Sequence, residues 1–226
     1  MKYENILFDF GDTLVQLDPS KEDVFLNVLK RHNIKIKKEE MKKAFLFYID
    51  MKTSVLTLKN EEEKKEFLIG KNKKILIMLG IKNNIEQLAI EINSEFKKAH
   101  WVLFPEVISV LEKLKEKGFR LGILSNWESV LHELCKNLDI THYFDFIVAS
   151  ADVGLEKPDP EFFRTVLSKN DMDAEKTVYV GNDYEQDIIS SGNLGIKPIL
   201  FDKDDIYAEK DCDKIRDLND IFSLLE

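Results

Sequence analysis

The pattern of apolar and polar positions changes period twice along this chain. Ile6, Leu7 and Phe8 form an unbroken run of bulky residues, the pattern of a central strand covered on both faces. The run ends in Asp9-Phe10-Gly11-Asp12-Thr13-Leu14, and the character then changes. From about Pro19 to Lys98 the spacing is helical, with almost no Gly or Pro and no run that reads as a strand. Val24, Phe25, Val28 and Leu29 recur at helical spacing, as do Met41, Phe45, Ile49 and Leu56. A third helix is predicted over 60–78, stopped at Leu79-Gly80. A fourth covers 85–99, with Leu88, Ile92, Phe96 and Ala99 on one stripe. Lysine and glutamate clusters such as Glu61-Glu62-Glu63-Lys64-Lys65 read as solvated faces. Phe45, Phe47 and Tyr48 read as core of this block.

After Phe104-Pro105 the period alternates. A helix over 106–117 ends at Gly118, and strands over 119–124, 144–149, 177–180 and 198–201 enclose helices over 130–137, 161–169 and 188–194. Strands separated by helices of this length predict right-handed βαβ units and a parallel sheet. The tail, 218–225, reads as a final helix on that sheet. The expected organisation is therefore an α/β core made from 1–16 and 100–226, interrupted by an all-helical insertion over 17–99.

Composition narrows the partners. At 226 residues and 44% hydrophobic, the chain can bury a full core. A net charge of −9 argues against unspecific nucleic-acid binding, which needs Lys and Arg to displace counterions. No stretch approaches the roughly 20 apolar residues of a membrane span, and the short apolar run cut by Asp9 is not a signal peptide. Cys135 and Cys212 belong to no C-x-x-C pair, so reduced thiols in a cytoplasmic protein, monomer or homodimer, are expected. His32, His100, His132 and His142 show no metal-ligand spacing.

Polar residues gather where four elements end. These are Asp9-Phe10-Gly11-Asp12-Thr13, Ser125-Asn126 after an apolar strand, Lys157-Pro158 before a helix, and Gly181-Asn182-Asp183-Tyr184-Glu185-Gln186-Asp187. Parallel α/β sheets keep their ligand crevice at the carboxyl ends of the strands. Each feature alone has a plain structural explanation. Asp9 can cap a turn, Ser125-Asn126 a helix, and Asp183 and Asp187 can sit in a first helical turn for its dipole. Trp101 and Trp127 read as packing residues, although Trp127 directly follows the second feature and can line a pocket.

Taken in order, the four features resemble those of the haloacid dehalogenase superfamily of aspartate-nucleophile hydrolases, in the subfamily whose helical cap follows the first motif. The resemblance spans essentially the whole chain. It implies a Rossmann-like parallel sheet carrying a helical cap, and a Mg²⁺-dependent phosphatase acting on a small phosphorylated metabolite through an aspartyl phosphate. Carried onto this chain, it makes Asp9 the nucleophile, with Ser125, Asn126 and Lys157 as the other catalytic residues. Thr13, Ser125, Asn126, Trp127 and Lys157 would contact substrate. The metal would draw on Asp9, the Gly11 carbonyl, Asn182, Asp183 and Asp187, with the choice among the last three open.

Two departures matter. The family's phosphatases usually carry a second Asp, as general acid and base, where this chain has Gly11. General acid catalysis contributes about 10²–10⁴-fold, so alkyl phosphates should suffer more than substrates with good leaving groups. Asn182 also stands where an Asp usually follows the glycine of the fourth motif. Three alternatives stay open on this account. They are a 2-haloacid dehalogenase, for which 17–99 offers only Arg31 as a halide-holding arginine, a phosphonate C–P hydrolase using a cap lysine, and a catalytically weak binding or regulatory member.

Overall fold

A computed structural model of the protein describes residues 2–49, 56 and 60–225, without the side chains of 46–49. The chain divides into two compact units, one formed by 1–16 and 103–226, the other by 17–102.

The first unit is built on β1 (Asn5–Phe8), β4 (Arg120–Ser125), β5 (Phe146–Ala149), β6 (Thr177–Gly181), β7 (Lys197–Phe201) and β8 (Lys214–Ile215), in the order β5-β4-β1-β6-β7-β8. Every pairing is parallel. β1 is the point where the winding reverses, because the chain proceeds outward to β4 and β5 and then returns to β6 on the other side. Ligands of open α/β sheets bind at such a switch point. The register sets what is presented there. Phe8 lies opposite both Ile123 and Val180, so Asp9, Ser125 and Gly181 leave the sheet at one edge.

Ile6, Leu7 and Phe8 are fully buried, as the unbroken apolar run requires. Helix α8 (Pro160–Lys169) packs Phe162, Phe163 and Val166 against Leu7, Leu124 and Tyr179. It starts cleanly, since Asp159 accepts from the Glu161 N–H and Pro160 occupies the first turn. The helices α5 (Val107–Glu116), α6 (Leu131–Asn137) and α7 (Ser150–Val153) complete this part of the unit.

The second unit holds α1 (Lys21–Arg31), α2 (Lys38–Ile49), α3 (Glu61–Met78) and α4 (Ile85–Phe96). Ser20 and Asn60 cap α1 and α3 by accepting from the Asp23 and Glu63 N–H groups. Val24, Phe25, Val28, Leu29, Met41, Phe45, Leu88 and Ile92 share one core. Inside it, Asn72 donates to the Ala89 carbonyl at 3.3 Å and ties α3 to α4. Phe47, Tyr48 and Ile49, read above as core or stripe positions, lie outside the described side chains. Among the described residues no helix is long and apolar enough to cross a membrane.

Several elements differ from the sequence expectation. Leu56 is exposed, not part of the buried stripe of α2. The helix expected at 85–99 ends at Phe96, followed by β3 (His100–Leu103), which pairs with β2 (Val15–Asp18). These two strands are four residues each and only half covered, too short for a period to show. The tail over 218–225 is a 3₁₀ turn, Leu218–Leu224, not an α-helix. The helix expected at 188–194 is a π-helical turn, Tyr184–Ile189, running into the short α9 (Ser190–Gly192).

Two measurements check this packing. Asp145 Oδ2 accepts from the Leu121 N–H at 2.8 Å and from Lys115 Nζ at 3.1 Å. Partial burial pushes its pKa upward, but the Leu121 and Lys115 bonds outweigh it and hold the carboxyl below its usual range. A depressed carboxylate stabilises the fold above its unfolded pKa and loses that contribution as the pH falls through its folded value. Asp145→Asn should therefore cost about 1 kcal/mol at neutral pH, and the difference from wild type should vanish in acid, as read by urea melts. Burial also pushes the Cys135 thiol up to about 12, whereas Cys212 is raised while remaining partly exposed. Iodoacetamide at pH 8 should label Cys212 first and reach Cys135 only on unfolding, as mass spectrometry of the peptides would show.

Candidate active site

Asp9 stands one residue past β1, its N–H bonded to the Val180 carbonyl at 2.8 Å. The residue is 7% exposed. Ser125, the last residue of β4, donates its hydroxyl to Asp9 Oδ1 at 2.8 Å. Lys157 Nζ donates to the same oxygen at 2.7 Å. Among the described residues no hydrogen bond falls on Asp9 Oδ2, so the two donors hold one oxygen and leave the other to act.

Lys157 is 3% exposed and comes from the loop before α8. An ammonium has three N–H donors, and here all three are used: Asp9 Oδ1, the Tyr179 hydroxyl at 2.8 Å and Asp187 Oδ1 at 2.6 Å. Burial alone would drive the lysine toward its neutral form, but the charges of Asp187 and Asp9 outweigh it and raise its pKa. The cation is therefore fixed at neutral pH. Asn126 clasps the same residue by its backbone, since Nδ2 donates to the Lys157 carbonyl and Oδ1 accepts from the Lys157 N–H, both at 2.7 Å. Asn126 thus orients the loop that delivers the lysine.

Asp187 is 1% exposed. Burial pushes its carboxyl upward in pKa, opposed by Lys157 and assisted by the charge of Asp9. Both its oxygens are engaged, Oδ1 with Lys157 and Oδ2 with the Asp183 N–H at 2.8 Å. This geometry needs the glycine at the end of β6. A Cβ on Gly181 would lie 2.4 Å from the Asp187 carboxyl carbon, so Gly181→Ala should displace Asp187 and destabilise the fold by about 1–3 kcal/mol, measurable in a denaturant titration. The wide π turn answers the same need, returning Asp187 beneath Gly181 where a tighter helix would carry it away.

Asp183 Oδ1 caps this turn, accepting from the Glu185 and Gln186 N–H groups at 3.0 and 2.8 Å. Buried Thr13 donates to Asn182 Oδ1 at 3.4 Å, bridging the first and fourth features. Asp12 has a left-handed backbone with φ 57°. Trp127 is half-buried and sets its ring edge-on to Phe10, with centroids 5.2 Å apart. Among the described residues no group of three or more His, Cys, Asp or Glu is arranged to hold a metal. The oxygens at the strand ends, from Asp9, the Gly11 carbonyl, Asn182 and Asp183, are of the hard type that Mg²⁺ takes, and Mg²⁺ sites use only one or two carboxylates with water.

Two residues escaped the sequence reading. Tyr179 takes the bond from Lys157 and donates to the Leu124 carbonyl at 2.7 Å, with its ring edge-on to Phe163. A tyrosine inside the apolar run Val178-Tyr179-Val180 was the available signal, because a buried hydroxyl needs a partner. Tyr179→Phe should cost about 1–3 kcal/mol by leaving that carbonyl and one lysine donor unpaired, with an unchanged m-value. Ser150 is the other. Its hydroxyl accepts from the Trp127 N–H at 3.1 Å and donates to the Trp127 carbonyl at 3.2 Å.

A model of the haloacid dehalogenase-like hydrolases matches residues 6–201. The chain belongs to the haloacid dehalogenase-like hydrolases. Within that family it is 30% identical over 217 residues to a glyceraldehyde 3-phosphate phosphatase of Methanothermobacter thermautotrophicus, covering 91% of this chain and 88% of that one. It is 23% identical to the haloacid dehalogenase-like hydrolase domain-containing protein 3 of Danio rerio, across 88% and 85% of the two chains. A magnesium-bound HAD-hydrolase of Bacillus subtilis superposes with a TM-score of 0.68 at 22% identity, covering 100% of both chains, which shows the shared fold.

Proposed function

We propose that this hydrolase is a phosphatase that moves the phosphoryl group of a small phosphorylated metabolite onto Asp9 and then to water. The observation that carries the reading is the grip on Asp9. Ser125 and a permanently charged, fully bonded Lys157 converge on one carboxylate oxygen at the switch point of a parallel sheet. The glyceraldehyde 3-phosphate phosphatase among its relatives supports the substrate class.

Each residue has a part to play. Asp9 Oδ2 attacks phosphorus while Oδ1 is held still, a preorganisation that lowers the barrier by positioning. Lys157 offsets the charge of Asp9 against an anionic substrate. With substrate bound, Ser125 and Thr13 would each turn their single O–H from Asp9 Oδ1 and Asn182 Oδ1 to a phosphoryl oxygen, leaving Lys157 to hold Oδ1, and Trp127 lines the same end of the sheet. Asn126, Tyr179 and Asp187 act through Lys157 and are positioning residues. Asp9, the Gly11 carbonyl, Asn182 and Asp183 would hold Mg²⁺, which when bound lessens the repulsion between carboxylate and phosphate. The helical unit is assigned the cap role, and the reduced thiols fit a cytoplasmic enzyme. Hydrolysis of 4-nitrophenyl phosphate or acetyl phosphate should be stimulated by Mg²⁺, and the absence of any stimulated turnover would sink the proposal.

The geometry disfavours the dehalogenase alternative, because Arg31 is already spent within the helical unit. Its guanidinium bonds Glu91 at 2.8 Å and pairs with Glu95 at 3.2 Å.

A further inference from the structure

We propose that Trp127 sets the leaving-group preference of this site by occupying the space that a side chain at position 11 would fill. The inference rests on the phosphatase reading of Asp9 and extends it to a substrate class. A Cβ built on Gly11 would lie 2.8 Å from Cζ3 of Trp127, closer than atoms of a packed structure tolerate. The indole is contacted on its ring, and its backbone is held. Phe10 braces it edge-on at 5.2 Å. Its backbone is pinned by the Ser150 hydroxyl on both the N–H and the carbonyl, and by the Ala151 N–H at 3.2 Å. Gly11 and Trp127 are therefore a complementary pair, glycine on one side because indole is on the other.

Both members of the pair are two residues from the chemistry. Gly11 follows Asp9 by two positions, and Trp127 follows Ser125, the donor to Asp9, by two. Indole carbon has no proton to give. Lys157, the cation bound to Asp9, has all three donors committed. Beside Gly11 the end of the sheet thus presents the hydrocarbon edge of Trp127 in place of a side chain at position 11. Substrates suited to it are phosphate compounds whose leaving group departs without a proton, namely acyl and aryl phosphates.

The step balances without a general acid. A bond forms between Asp9 Oδ2 and phosphorus as the bond from phosphorus to the leaving oxygen breaks. The electron pair departs with a carboxylate or phenolate. Water then attacks phosphorus, the bond to Asp9 breaks and its electrons return to the carboxylate, and the proton of the water passes to the phosphate product or to solvent.

The test is the dependence of kcat/KM on leaving-group acidity, with Mg²⁺ present. The probes are acetyl phosphate, 4-nitrophenyl phosphate, phenyl phosphate and glyceraldehyde 3-phosphate. Wild type should turn over acetyl and 4-nitrophenyl phosphate at least about 10²-fold better than glyceraldehyde 3-phosphate. Gly11→Asp alone should lower the melting temperature without narrowing that gap, because Trp127 blocks the new side chain. Gly11→Asp combined with Trp127→Ala should narrow it about 10-fold or more by raising the alkyl rate. Trp127→Ala alone should leave the gap, since it supplies no acid.

A wild-type enzyme that shows no preference between aryl and alkyl phosphates would overturn the assignment, whether or not the double variant folds. So would a folded double variant with the wild-type gap. If turnover depends on Asp9 but is indifferent to leaving group, only the role of Trp127 fails. If no phosphate compound is turned over at all, the phosphatase reading fails with it.

Discussion

Lys157→Met should abolish turnover and also destabilise the protein by about 3–5 kcal/mol, the cost of removing one partner from a buried charge network. The lysine nitrogen lies within 2.7 Å of Asp9 and Asp187, and both carboxylates are nearly shielded from water. Without the ammonium, two buried anions face each other and one must take up a proton. The protein should therefore regain stability as the pH is lowered into the carboxylate range, the reverse of ordinary acid denaturation. Lys157→Arg should not rescue activity, because a planar fork cannot serve acceptors that surround a single nitrogen. Denaturant melts across pH, together with turnover of an aryl phosphate, separate these effects. A variant as stable as wild type at neutral pH would show that the network is not what holds the lysine.

Asp9→Asn should behave in the opposite way, losing activity while keeping the fold. The amide oxygen can still accept from Ser125 and Lys157, and Asp187 still balances the ammonium. Removing a nucleophile that acts as part of a unit costs on the order of 10⁴–10⁶ in kcat. The variant should melt cooperatively and hydrolyse phosphate compounds at background rate. Retained turnover would mean that another group attacks phosphorus.

The sequence made much of this legible, and the reasons are physical. Strand β1 announced itself because a strand buried on both faces must be apolar throughout, and its terminal Asp9 is conspicuous against that run. Ser125 and Lys157 were visible as polar residues at element ends. Asn126 read as orienting the substrate or the adjoining loop, but its partner did not show, since clasping a backbone 31 residues away leaves no local pattern. Asp187 read as a candidate metal ligand or a helix-dipole acid, whereas a π turn folds it back under Gly181 with both oxygens bonded to Lys157 and the Asp183 N–H. Tyr179 hid inside an apolar run. The pairing of Gly11 with Trp127 joins positions 116 residues apart and only appears in space. The short strands β2 and β3 carry too few residues for periodicity to register. What sequence patterns miss here is consistently long-range: side chains whose role is to hold another side chain.

The account depends on Asp9 becoming covalently attached to phosphorus. Enzyme turning over acetyl phosphate with Mg²⁺ should be quenched in acid, reduced with borohydride and digested, and the peptide carrying residue 9 weighed. An acyl phosphate on Asp9 is reduced to the alcohol, so homoserine should appear at position 9 in wild type and be absent without substrate. Steady turnover with Asp9 unmodified, or with the reduced residue elsewhere in the chain, would contradict the account.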